Sequence, residues 1–234
     1  MLVLFDIDGT LLISLRAGVG AMQTALRELH GVDISFDGVE IHGRLDTLIW
    51  RDLANRYGLP AHEEAHQTFR STYARHLDER LAANNTSQAL PGAIALVRAV
   101  QATPGVTIGL LTGNYEPTGK LKVKHAGFDP DAFVVNAWGD DAPDRRSLVP
   151  VAMQRYHQRH GRAVPAQNVV IIGDTPHDVD CAKAHGARVL AVGTGAFTPE
   201  ALRQAGADLA TPDLSDTATL AAWITRAPGG PAAA

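Results

Sequence analysis

Cysteine is nearly absent from this chain. Cys181 is the single one in 234 residues, which excludes an internal disulfide, and no zinc-ligand spacing surrounds it. A reducing compartment follows. Positive charge is not in excess either: lysine and arginine total 21 against 25 acidic residues, a net charge of −4. That balance argues against a broad nucleic-acid or anionic-membrane surface. No run approaches the ~18 apolar residues of a membrane span, and no basic, cleavable leader precedes the first apolar segment. A cytoplasmic location is the expectation. Internal repeats are missing. So is the third glycine of a dinucleotide loop, because Gln23 stands where Gly18-Val19-Gly20 would require it.

What is present reads as a globular chain, 45% apolar and 20% charged, long enough for one sizeable domain with a smaller insertion. Its organising stretch is Leu2–Leu12, LVLFDIDGTLL. Leu2 to Phe5 form an apolar run too short for a helix and ended by Asp-Gly, the pattern of a strand covered on both faces. Asp6 and Asp8 then leave an extended backbone on the same side. Two carboxylates held that close repel unless a cation lies between them, and a hard divalent ion such as Mg²⁺ suits them. Gly9 allows a sharp turn that brings backbone N–H groups to an anion, and Thr10 adds a hydroxyl donor.

Helical spacing runs from Gly20 to Leu29, stopped by Gly31, from about Thr47 to Arg56, ended by Gly58 and Pro60, and from about His62 to Ala82. The loop His42-Gly43-Arg44-Leu45-Asp46 precedes one of these helices, and Asp46 is placed to cap it. His62-Glu63-Glu64-Ala65-His66 matches the H-E-x-x-H spelling of zinc proteases, but its polar surroundings after Pro60 read as the first turn of a surface helix. Beyond Pro91-Gly92, strand-like runs at Val106–Leu111, Phe133–Asn136, Val169–Ile172 and Arg188–Val192 alternate with helices, and Ala207–Ala210 reads as a short edge strand. Thr112-Gly113-Asn114 closes the Val106 strand and presents backbone and side-chain donors to an anion. Lys120, Lys122 and Lys124 share one helix, which reads as a solvated face. The tail, Arg226–Ala234, is rich in proline, glycine and alanine and reads as disordered.

The Asp6-x-Asp8-Gly9-Thr10 stretch resembles the first signature of the haloacid dehalogenase superfamily. Thr112 matches the second, a strand ending in Ser or Thr. Gly173-Asp174-Thr175-Pro176-His177-Asp178 matches the last. This resemblance implies an α/β fold with a Rossmann-like parallel sheet, helices on both faces, and an inserted all-helical cap. Residues 1–14 and 89–226 would form the core domain, 15–88 the cap, and 227–234 the tail. It implies Asp6 as nucleophile, Asp8 as acid/base, and Mg²⁺ held by Asp6, Asp8 and Asp174 with support from Asp178. Gly9, Thr10, Thr112, Gly113 and Asn114 would bind the phosphate, and Arg44 would reach it from the cap. The family's lysine or arginine before the last motif is matched by Arg145, with Arg146 or Lys122 as alternatives.

The implied activity is hydrolysis of a small phosphorylated metabolite, similar to phosphoglycolate phosphatase, with no nucleic acid or membrane partner. A phosphomutase, or a catalytically silent binding protein, shares these features. A phosphonate-cleaving relative would need a cap lysine, and residues 15–88 contain none.

Overall fold

The computed structural model describes residues 1–84 and 86–226. Its centre is β1 (Leu2–Phe5), every residue of which is buried. After it come β2 (Leu12–Ile13) and three helices, α1 (Ala17–His30), α2 (Asp46–Tyr57) and α3 (Glu63–Asn84). The chain continues through β3 (Gln88–Ala89), α4 (Ala93–Gln101), β4 (Thr107–Leu110), α5 (Glu116–His125), α6 (Leu148–His160) and β5 (Val169–Gly173). It ends with α7 (Pro176–Ala184), β6 (Arg188–Val192), α8 (Pro199–Gln204), β7 (Leu209–Thr211) and α9 (Thr217–Thr225).

Five strands pair in the order β4-β1-β5-β6-β7, and every pairing is parallel. Period-2 alternation sorts their side chains onto two faces. Val3, Phe5, Val170, Ile172, Leu190 and Val192 pack with residues of α4, α5 and α9. Leu2, Leu4, Val169, Ile171, Val189 and Ala191 pack with α6, α7 and α8. A sheet covered on both faces needs continuous apolar strands, which is why these runs are apolar apart from residues at their ends such as Thr107 and Arg188.

Helices α1 to α3 have their own apolar cluster, including Met22, Leu26, Trp50, Leu53, Phe69 and Leu77. The chain leaves the sheet through β2 and returns through β3, which pair antiparallel. Gly18 and Gly20 let α1 press against α3. A Cβ would lie 3.2 Å from the Tyr73 hydroxyl at Gly18 and 2.9 Å from Arg80 at Gly20. Close packing thus bears on Gly18, whereas at Gly20 the neighbour is the flexible end of Arg80.

Two readings need correction. Phe133–Asn136 does not form a strand. The segment runs beside β4, with Val134 donating to Ile108 O and Ala137 to Leu110 O, but Leu110 N–H is taken by the Asn136 side chain at 2.9 Å. A side chain has replaced one rung of the ladder. Asp46 does not cap α2: Leu45 holds the N-cap position without a side-chain bond. The proposed tail, 227–234, lies outside the described residues.

Candidate active site

The carboxyl ends of β1, β4 and β5 meet at one point, where parallel α/β sheets place their ligands. Asp6 extends the sheet by one rung, donating its N–H to Ile172 O at 2.8 Å. Asp6, Asp174 and Asp178 are all buried, and each brings a carboxylate oxygen within 4.8 Å of the others. Glycines make the room. Gly9 turns with φ +80°, and a Cβ there would come within 2.3 Å of the Asp174 carboxylate; one on Gly195 would come within 1.7 Å. Thr10 donates to Asp174 Oδ1 at 3.3 Å. Asp178 is the third residue of α7 and completes a capping box with Thr175. The Asp178 Oδ2 accepts from Thr175, and its Oδ1 from Arg145 at 2.5 Å.

Arg145 therefore bridges two acids, its Nη2 also lying 3.1 Å from Asp6 Oδ1. Its buried Nε has no partner within the protein. Arg146 is outside the site, paired with Asp180 on the surface. Lys122 is not solvated as its helix neighbours suggested. It is 5% exposed, and its Nζ lies 2.6 Å from both Asp8 Oδ2 and Asn114 Oδ1. Two cations thus serve two carboxylates, Arg145 at Asp6 and Lys122 at Asp8.

The remaining predicted residues divide cleanly. Thr112 is fully buried at the end of the β4 segment, and its Oγ1 accepts from the Asn114 side chain at 2.9 Å. Asn114 also donates to Asp8 Oδ2 at 2.8 Å. Gly113 packs against the Arg44 carbonyl, where a Cβ would meet it at 2.0 Å. Arg44 lines the cavity above the acids, but its guanidinium is paired with Asp52 at 2.6 Å. His62 and His66 do not converge. The His66 ring stacks on Trp50 and bonds the Tyr115 hydroxyl, while His62 Nδ1 accepts from Ala65 N–H.

Electrostatics set the acids apart. Burial pushes the Asp6 carboxyl up to about 6; Arg145 opposes this, and the charges of Asp178 and Asp8 add to it. Burial, with Asp6 and Asp178 beside it, raises Asp174 to about 8. Asp8 goes the other way. Burial works to raise it, but the Lys122 charge and hydrogen bonds from Lys122, Asn114 and Ser14 hold it below the usual carboxylate range. The Asp6–Asp174–Asp178 cluster carries more negative charge than Arg145 offsets, and its donors are all oxygens. Those are the terms on which a hard divalent cation binds, so the residues fit one.

Above the acids opens a cavity of about 520 Å³, walled on its far side by α1, α2 and the loop before α2. Residues that the sequence did not single out line it, among them Ser14, Tyr73, Thr194 and Gly195. The structure puts Lys122 on the inward stripe of α5, four residues after Thr118 and beside Val123, both buried; no sequence signal marked it.

No described helix is long and apolar enough to cross a membrane. The tyrosine-protein kinase PtkA of Mycobacterium tuberculosis is 31% identical over 199 residues, 83% of this chain; the chain spans 62% of that relative's length. A phosphoglycolate phosphatase of Rhodospirillum rubrum is 31% identical over 232 residues, covering 95% of this chain and 90% of the relative. A hydrolase from Pseudomonas syringae has a similar fold, with TM-score 0.69 at 22% identity over 93% of this chain and 95% of that one. The family model for haloacid dehalogenase-like hydrolases matches residues 3–183. The chain belongs to the haloacid dehalogenase-like hydrolase family.

Proposed function

We propose that this chain hydrolyses the phosphate monoester of a small molecule, with Mg²⁺ as cofactor and Asp6 as the nucleophile. The observation that carries the reading is the buried acid cluster beneath a ligand-sized cavity, with Asp6 held by Arg145 and Asp8 held by Lys122. Mg²⁺ bound by Asp6, the Asp8 carbonyl and Asp174 would lower the repulsion between the phosphate dianion and the attacking carboxylate.

The protein's own groups do the rest. Arg145 fixes one Asp6 oxygen and leaves the other for in-line attack on phosphorus, as the bond from phosphorus to the alcohol oxygen breaks. Asp8 delivers the proton that oxygen needs. A phosphate dianion entering beside Asp8 competes for Lys122 and adds like charge, both of which raise Asp8 toward its protonated form. Once the alcohol leaves, ionised Asp8 takes a proton from water, and the hydroxide attacks the aspartyl-phosphate, releasing phosphate and restoring Asp6. Thr112 and Asn114 hold the phosphoryl oxygens. The helical segment 15–88 acts as a cap that shields these steps from bulk water.

Turnover of p-nitrophenyl phosphate with Mg²⁺ tests the reading. Activity should vanish with EDTA and in Asp6→Asn, while Asp8→Asn should lose about 10²–10⁴ in rate. Full activity in Asp6→Asn would refute it.

A further inference from the structure

The cavity says more about the alcohol than about the phosphate. We propose, on the basis of the phosphatase reading, that the alcohol half of the ester is an apolar body, an aryl or branched alkyl group. Ile13 and Leu15 at the cavity mouth select it.

Three observations converge. First, a cavity of about 520 Å³ falls among the roughly 300–1,000 Å³ pockets that enclose whole organic ligands, far more room than phosphate with glycolate fills. Val19, Met22, Phe36, Ile41 and Ile49 give its lining an apolar share beside the hydroxyls of Ser14, Tyr73 and Thr194. Sugar hydroxyls set against those five side chains would be left unpaired, which is unfavourable.

Second, Ile13 and Leu15 are 41% and 59% exposed, and with Val134 they are the exposed large apolar side chains among the described residues. Both of them line this cavity. Third, Leu15 and Arg16 have φ of 44° and 64°, the left-handed backbone found at no other described non-glycine residue. Strained backbone of this kind clusters at active sites and ligand clamps, and Leu15 faces the ligand cavity.

Charge points the same way. Arg145 and Lys122 are engaged at the phosphate end, and Arg44 is neutralised by Asp52. Asp46 also lines the cavity and offers a second anionic group no positive partner. A carboxylated alcohol would have to rely on Arg16 at the exposed rim.

Calorimetric titration with phosphonates, which resist hydrolysis, tests recognition apart from chemistry. In the presence of Mg²⁺, benzylphosphonate should bind about tenfold or more tightly than phosphonoacetate. Leu15→Asn, whose side chain tolerates the left-handed backbone, should shrink that ratio toward unity with an unchanged circular dichroism spectrum. Ile13→Thr should shrink it as well. Equal or tighter binding of phosphonoacetate, a ratio that neither variant moves, or no binding of either phosphonate would overturn the proposal. Benzylphosphonate binding as expected, with no turnover of phenyl phosphate, would refute the hydrolytic reading and leave the recognition standing.

Discussion

Asp46 offers a direct test of how this site is held, because its carboxyl is buried without a cation in contact. It is 8% exposed, and its Oδ2 accepts one hydrogen bond, from Tyr115 N–H at 3.3 Å. Burial pushes it from 3.8 up to about 7; Lys122 at longer range opposes that, and Asp8 and Asp140 add to it. The unfolded chain releases this proton near 3.8, whereas the folded chain keeps it until about 7. Stability must therefore fall as pH rises through that window, by about 1.4 kcal/mol per pH unit, and level off above it. Asp46→Asn keeps the acceptor and abolishes the titration. The negative charge in the first turn of α2 exists only once Asp46 ionises, so its loss takes back about 0.3–1 kcal/mol at the higher pH alone and trims the expected gain without cancelling it. Urea denaturation in EDTA at about pH 5 and about pH 8 should show the Asp46→Asn variant gaining about 2–3 kcal/mol on the wild type between the two. Parallel stability profiles would mean that Asp46 ionises normally and that burial does not control it.

Gly195→Ala should displace the Asp174 carboxylate, since its Cβ would stand 1.7 Å from Oδ2; a Mg²⁺ titration of turnover should show at least about a tenfold higher requirement, and an unchanged requirement would separate Asp174 from the metal. Lys122→Met removes the cation that lowers Asp8, so the acidic limb of the rate profile should move to higher pH. Because the Asp8 side chain is 41% exposed, the stability loss at neutral pH should be only about 1 kcal/mol. That contribution is present above the ordinary aspartate range and disappears as pH falls through the lowered value, so the loss should vanish in strong acid. Asn136→Ala strips the side-chain rung from Leu110 N–H and should cost about 1–3 kcal/mol, read as a lower Tm with turnover per folded molecule retained.

Much of this architecture was legible because its signals are local. Leu2–Phe5, Val169–Gly173 and Arg188–Val192 are short apolar runs, and each ends where a polar motif begins, so strand, strand end and carboxylate are written within a dozen residues. What failed needed contacts distant in sequence. The Val134-Val135 pair carries strand propensity, but whether Asn136 turns its side chain into the ladder depends on β4, which precedes it by a full helix. Lys122 looked like one of three exposed lysines; only the packing of α5 shows that it points at Asp8 while Lys120 pairs with Glu116 on the surface. The choice among Arg145, Arg146 and Lys122 could not be made from spacing, because adjacent residues in the loop before α6 reach opposite environments, one buried against Asp6 and Asp178 and the other on Asp180.

The glycines show how the chain holds so much negative charge in one place. At Gly9 a positive φ explains the residue type, but Gly173 and Gly195 have no such backbone requirement. Instead, a Cβ at Gly173 would strike the Asp178 carboxyl at 2.2 Å, as one at Gly195 would strike Asp174. The space for the acids is therefore made by removing atoms from the strand ends and loops around them, not by spreading the acids apart. That choice keeps the carboxylates close enough to share one cation and buried enough to feel one another, which raises Asp6 and Asp174. It also leaves the site less favourable on its own than a looser one. The cost is offset elsewhere, by the two apolar layers that cover both faces of the sheet, and it is the same cost that a bound cation would relieve. An acid cluster built this way gives up folding stability, as expected of a site selected for chemistry over packing.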